Sequence, residues 1–121
     1  RSINGMEKTL TIDGRTVKFK CSGGTLMRYR NQFNSEFLAD LSALKNVQND
    51  AAKINFAVIE NMIWTFAKTA DTTVPDPQTW YDSFDEIDIY EVWTELSDLV
   101  SQSVRSLTKN AEKAANQAVK Q

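Results

Sequence analysis

The sequence predicts a mainly α-helical domain in which a small N-terminal β-hairpin precedes a bundle of about four helices. An Asp-Gly pair between two short β-forming segments predicts the hairpin. Apolar residues that recur every three or four positions over most of the remaining chain predict the helices. The length of 121 residues, with 41% hydrophobic residues, suits one domain with a modest core.

The two ends of the chain are expected to differ from the rest. Residues 1–5 precede Met6 and belong to no periodic pattern, so we interpret them as the remnant of an expression tag. Residues 6–121 are expected to form the single domain. From Lys109 onwards the apolar positions are alanines, which bury little area, so residues 109–121 are expected to fray unless a partner covers them.

The hairpin is predicted over residues 7–11 and 16–20, because Gly14 accepts the positive φ that a tight turn demands. Ser22 or Thr25 is then expected to cap a helix by accepting a bond from a free backbone N–H group. One helix is predicted to follow, because its apolar residues are spaced by three or four: Leu26, Tyr29, Phe33, Phe37, Leu41 and Leu44.

The next helix carries apolar residues on most of its sides, so we expect it to be the central and most buried one. Its two apolar stripes are Phe56, Ile59, Ile63, Phe66 and Ala70, and Ile54, Val58 and Met62. The prolines at 75 and 77 end this helix, and Asp76-Pro77 is a start signal for a short helix to about Phe84.

The last helix is predicted to begin at Asp88, which is three residues before Glu91 and has the spacing of a capping box. Its apolar stripe runs from Ile89 to Leu107. No stretch of the chain approaches the roughly 18 apolar residues of a membrane-spanning helix, so no membrane partner is expected.

The composition argues against catalysis. The chain has no histidine, which is the commonest general base and a frequent zinc ligand, and its single cysteine is Cys21. We interpret Cys21 as a small apolar residue that closes a strand. The Ser22–Thr25 segment lacks the lysine of a phosphate-binding loop. We therefore expect no enzyme activity, no cofactor and no metal.

The acidic residues are concentrated in one segment. Between Thr69 and Val104 every Asp, Glu, Lys or Arg is acidic, although the net charge of the whole chain is only -2. Such a surface repels phosphate backbones and favours a basic partner, unless it is simply a solvated face. A metal site at Asp82, Asp85, Glu86 and Asp88 is not expected, because the segment lacks the glycine and the regular spacing of a calcium loop.

Aromatic residues are crowded into the same segment. Exposed Trp and Tyr side chains are typical anchors of protein interfaces, whereas buried ones fill a core, which is our interpretation of Trp64. The predicted partner-binding residues are Trp80, Tyr81, Phe84, Asp85, Glu86 and Trp93. For Trp80 and Trp93 a position in the core is the open alternative.

Several stretches of the chain resemble the tail assembly chaperones of siphophages and of prophages of Gram-positive bacteria. The resemblance covers Met6 to about Leu107. It rests on residues 7–10 and 14–19 of the hairpin, Thr25-Leu26-Met27-Arg28-Tyr29-Arg30 leading to Phe33, residues 63–68, Pro77, Trp80 and Phe84-Asp85-Glu86-Ile87-Asp88.

The resemblance implies that the chain acts by binding. Chaperones of this family bind the phage tape measure protein, keep it soluble, and recruit the major tail protein that forms the tail tube. The implied location is the host cytoplasm, outside the mature virion. Because a protein that coats a long partner is needed in many copies, a homo-oligomer is also considered.

The alternative function is a small prophage-encoded regulatory domain that binds DNA or another protein. Its candidate contacts are the basic residues Lys18, Lys20, Arg28 and Arg30. Four cations on an acidic protein make a weak basic patch, so nucleic acid is not the expected partner.

Overall fold

A computed structural model describes residues 7–47 and 49–119. An N-terminal two-stranded antiparallel hairpin is followed by helices, which confirms the predicted fold class. The elements are β1 (Glu7–Ile12), β2 (Arg15–Lys20), α1 (Thr25–Phe33), α2 (Phe37–Asn46), a 3-10 turn (Ala51–Lys53), α3 (Phe56–Ala70), α4 (Pro77–Asp82), α5 (Ile89–Glu95) and α6 (Ser97–Val119). The interpretation of residues 1–5 as a tag lies outside the described residues.

The hairpin turn has the conformation that its sequence predicts. Asp13 has φ 54° and Gly14 has φ 75°, so both central residues adopt the positive φ of a tight hairpin turn. Ile12 pairs with Arg15 at the end of the ladder. β2 packs on α3 and buries Phe19 completely, which gives this two-stranded sheet the support that it would lack alone.

The single helix predicted from Thr25 to Leu44 is wrong, because the chain breaks after Phe33. Asn34 adopts the left-handed conformation, with φ 54° and ψ 43°, and its N–H donates to the carbonyl oxygen of Arg30. Asparagine tolerates this conformation better than most residues, and it ends α1. α2 then starts at Phe37, whose ring lies 5.3 Å from that of Tyr29 between centroids.

The predicted cap at the start of α1 is also corrected. Gly24 occupies the N-cap position, and no side chain caps the helix there. The Thr25 hydroxyl instead accepts a hydrogen bond of 2.8 Å from the Ser22 N–H, so it fastens the end of the hairpin to the start of the helix.

The caps predicted for the later helices are confirmed. The Asp76 carboxylate accepts from the Thr79 N–H at the start of α4, and the Asp88 carboxylate accepts from the Glu91 N–H at the start of α5. Each bond satisfies a backbone donor that has no partner within its helix.

α3 is the central helix, as predicted. Its buried residues are Ile59, Met62, Ile63, Trp64, Thr65, Phe66 and Ala67. Trp64 is a core residue, as predicted, and its indole N–H donates to the carbonyl oxygen of Pro75 at 2.8 Å. Phe56, which the sequence placed on the buried stripe, is 44% exposed because it lies at the first turn.

The last predicted helix is two helices that meet at Leu96. The side chain of Leu96 is completely buried, and its backbone has φ -93° and ψ 8°. α6 continues to Val119, and fraying beyond Lys109 stays a prediction. None of the helices in the described ranges is long and apolar enough to cross a membrane.

Cys21 is buried at the end of β2, as predicted for a small residue that closes a strand. Its Sγ lies 2.8 Å from the hydroxyl oxygen of Ser103 on α6. The Ser103 hydroxyl also lies 2.7 Å from the Leu99 carbonyl oxygen, to which it donates. This contact ties the hairpin to the last helix.

Candidate partner-binding groove

An apolar groove lies between α2, the segment before α3, α3 itself, and one side of α5 and α6. Its volume is about 560 Å³. The residues that line it are Leu41, Leu44, Lys45, Ile54, Ile59, Tyr90, Trp93, Thr94, Ser97, Val100, Ser101, Val104 and Arg105. A cavity of this size is typical of binding sites in proteins.

Side chains that differ in burial line the groove. Leu41, Ile59 and Val100 are buried and belong to the core. Tyr90 is 53% exposed and Trp93 is half-buried, so both rings present apolar surface to the solvent. Large rings with free surface beside a buried apolar floor are the usual anchors of a protein interface.

The charged residues that line the groove are both cations, within the described part of the chain. Lys45 comes from the last turn of α2 and Arg105 comes from α6, and both are exposed. The acidic residues between 71 and 98 do not line the groove. The basic partner favoured by the acidic segment is therefore not the partner that this groove favours.

Two of the partner-binding residues that the sequence predicted around α4 are core residues. Trp80 and Phe84 are buried, and their ring centroids lie 5.1 Å apart in an edge-on arrangement. The guanidinium carbon of Arg15 lies 3.9 Å from the centre of the Phe84 ring and covers it. These two aromatic residues attach α4 to the hairpin, which corrects their assignment as exposed anchors.

Tyr81 also has a structural role. It is half-buried, and its hydroxyl donates to the carbonyl oxygen of Glu60 on α3 at 2.6 Å. Burial, assisted by the negative charge of Glu60, raises the pKa of the Tyr81 phenol well above its ordinary value.

The other three predicted residues lie in two different places. Asp85 and Glu86 are exposed, and the Asp85 N–H donates to the Asp13 carboxylate across from the hairpin turn at 2.9 Å. Trp93 is the predicted residue that lines the groove. The six predicted residues therefore do not form one site. Trp80, Tyr81 and Phe84 pack within the protein, Asp85 and Glu86 are exposed, and Trp93 lines the groove.

Several acidic side chains have local structural partners. The Thr73 hydroxyl and N–H donate to the Asp71 carboxylate, and these bonds lower the pKa of that carboxyl.

Within the described ranges, no three His, Cys, Asp or Glu residues lie close enough together to hold a metal ion. A second cavity, of about 410 Å³, lies between the hairpin and α3, and Asp82, Asp85 and Asp88 line neither cavity.

The four cations proposed for nucleic-acid binding are largely engaged within the molecule. Two guanidinium nitrogens of Arg30, Nε and Nη2, donate to the Glu36 carboxylate, at 2.7 and 3.1 Å. Arg28 donates to the Thr69 hydroxyl, and Lys20 lies 3.9 Å from the Glu7 carboxylate. Lys18 is exposed. A phosphate backbone would have to displace most of these contacts.

Apart from Trp93, the groove residues of α5 and α6 were not among the predicted site residues. The signal that could have found them is their spacing, because Tyr90, Thr94, Ser97, Ser101 and Val104 recur every three or four residues. Three of these five are small hydroxyl residues, so apolar side chains alone do not mark this side of the helices.

Comparisons of the chain with protein-family models, with curated proteins and with solved structures find no match.

Proposed function

We propose that this chain is a phage tail assembly chaperone that binds an amphipathic helix of the tape measure protein in the groove between α2, α3, α5 and α6. The observation that carries the proposal is the apolar groove, with Tyr90 and Trp93 exposing ring surface beside a buried floor. Grooves of this kind take the apolar face of a helix, which inserts side chains from successive turns.

The size and the charges of the groove support a helical partner. A volume of about 560 Å³ accommodates a few side chains from one face of a helix. Lys45 and Arg105 can meet acidic residues beside the apolar stripe of that helix. A tape measure protein with a bare apolar stripe would aggregate, and covering the stripe prevents this.

The proposed activity is binding without covalent chemistry. The complex would form in the host cytoplasm, where this chain would keep the tape measure protein soluble and recruit the major tail protein around it. The chaperone would leave before the virion is complete, so the groove must release its partner as the tube grows.

Co-expression with segments of the tape measure protein from the same genome tests the proposal. Ser101 is exposed and lines the groove, so Ser101→Trp fills the groove without removing a core side chain. We expect this variant to lose the soluble complex in a pull-down assay. Ser42 is exposed on α2 and does not line the groove, so Ser42→Trp is the matched control and should keep the complex.

Two results would contradict the proposal. One is that no tape measure segment becomes more soluble in the presence of the wild-type chain. The other is that Ser101→Trp and Ser42→Trp bind equally well, which would place any interface outside the groove. Circular dichroism of both variants distinguishes loss of binding from loss of folding.

A further inference from the structure

The segment formed by α5 and α6 carries acidic residues in its first half and mostly basic residues in its second half. Glu91, Glu95 and Asp98 are spaced by four and three residues in the first half. Arg105, Lys109 and Lys113 are spaced by four residues in the second half. All six side chains are exposed. Residues at these spacings lie on one side of a helix, so they form an acidic stripe and a basic stripe.

The two stripes lie on a nearly continuous helix. The Leu96 N–H donates to the carbonyl oxygen of Val92, and the Val100 N–H donates to that of Leu96, each at 3.1 Å. Helical hydrogen bonds therefore pass across the joint between α5 and α6. Asp98 precedes Arg105 by two helical turns, so the acidic stripe ends on the side where the basic stripe begins.

Among the described residues, neither stripe is paired with charges of the opposite sign. None of the six residues forms a salt bridge with any other residue in the described ranges. Like charges three or four residues apart on a helix repel each other. Glu112 lies beside the basic stripe and reduces its charge without changing its spacing. A surface of the opposite charge pattern would relieve the repulsion in both stripes.

We propose that two copies of this chain pair through α5 and α6 in antiparallel orientation, with the acidic stripe of each copy on the basic stripe of the other. Gln102 lies midway between Glu91 and Lys113 and between Glu95 and Lys109, and within one residue of the midpoint between Asp98 and Arg105. A two-fold axis near Gln102 therefore brings all three acids of each copy to cations of the other.

The reciprocity of the pattern favours a second copy over an unrelated partner. A two-fold interface needs a surface that is complementary to itself, and an acidic half followed by a basic half meets this need only when the helices are antiparallel. Parallel pairing would place like charges together.

The association is expected to be weak and sensitive to salt. Exposed ion pairs contribute little individually and are screened at physiological ionic strength. Sedimentation equilibrium at about 1 mM chain should show a dimer in about 20 mM salt, with a dissociation constant roughly tenfold higher in about 300 mM salt.

Charge reversal tests the register. Lys109→Glu/Lys113→Glu and Glu91→Lys/Glu95→Lys should each abolish the dimer, since each gives two of the three residues of one stripe the sign of the other stripe, and like charges then face each other in the pair. An equimolar mixture of the two variants should form a heterodimer, because their charges are then complementary. Lys18→Glu/Lys53→Glu reverses two exposed lysines elsewhere, with the same change in net charge as the first variant, and should leave the dimer intact.

The proposal does not depend on the function proposed above. It is overturned if the wild-type chain stays monomeric at about 1 mM in low salt. It is equally overturned if the mixture of reversed variants stays monomeric, or if either reversed variant dimerises as well as the wild type. Circular dichroism shows whether each variant has kept its helices.

Discussion

Raising the pH above about 10 should destabilise this protein through two phenols that the fold keeps un-ionised. The Tyr29 ring is completely buried, and its hydroxyl donates to the Asp40 carboxylate at 2.7 Å. Burial, together with the hydrogen bond and the negative charge of Asp40, raises the pKa of Tyr29. The pKa of Tyr81 is raised by burial and by Glu60.

The direction and size of the effect follow from proton linkage. Below the ordinary tyrosine pKa of about 10, both states hold the two protons, so the favourable environment of the neutral phenols contributes fully to stability. Above that pH the unfolded state releases protons that the folded state retains. Each phenol then lowers the free energy of unfolding by about 1.4 kcal/mol per pH unit, or about 2.7 kcal/mol for both between about pH 9 and about pH 11.

Urea unfolding across this pH range measures the effect. Lysines and arginines titrate similarly in wild type and variants, so the difference between wild type and Tyr29→Phe/Tyr81→Phe isolates the two phenols. The double variant should lose much less stability than the wild type on going to about pH 11. Tyr90→Phe is the control, because the Tyr90 side chain is 53% exposed. Equal losses in the double variant and the wild type would refute the reasoning.

Two further substitutions test how the chain is held together. Asn34→Gly should keep or slightly raise the free energy of unfolding. Asn34→Ala should lower it by about 1–2 kcal/mol, because alanine resists the left-handed conformation found there. Thermal unfolding of both variants checks this prediction, and equal melting temperatures would contradict it. Arg15→Ala should lower the free energy of unfolding by about 0.5–1 kcal/mol through loss of the contact with the Phe84 ring. The loss should be smaller in a Phe84→Leu background when both are measured by urea unfolding, and an undiminished loss would show that the ring contact is not responsible.

Local signals predicted the elements that depend on local chemistry. The Asp13-Gly14 turn, the caps at Asp76 and Asp88, and the apolar stripes of α3 each involve residues within one or two turns of each other. Hydrogen bonding and φ preferences act over this range, so the sequence specifies them directly.

The break at Asn34 could not be found in the same way. Tyr29, Phe33, Phe37 and Leu41 are each four residues apart, so their spacing fits one long helix. The stripe continues because the rings of Tyr29 and Phe37 meet in the core after the chain has turned, at 5.3 Å between centroids. Periodicity reports which residues are buried, but it does not report whether one helix or two helices bury them.

The position of Trp80 and Phe84 depended on contacts distant in sequence. Arg15 covers the Phe84 ring, and it donates to the Ser83 hydroxyl at 3.0 Å although Arg15 and Ser83 are 68 positions apart. No sequence pattern near Phe84 indicates that Arg15, at the start of β2, will lie over its ring. The groove is harder still to predict, because four separate helices and the segment before α3 contribute to its lining.

The segment formed by α5 and α6 has three sides, and each side has different surroundings. Leu96 and Leu99 point into the core, where both are essentially fully buried. Tyr90 and Thr94 line the groove on another side, and the acidic and basic stripes occupy a third side. Arg105 belongs to the basic stripe and also lines the groove, so it lies at the border between the two.

This division makes the two proposed interactions separable by mutation. Filling the groove with Ser101→Trp changes the side that would receive a tape measure helix, while reversing Lys109 and Lys113 changes charges that do not line the groove. If both proposals hold, the first variant should lose its partner and the second should lose its dimer. A single substitution at Arg105 should weaken both interactions, because its side chain lies where the two surfaces meet.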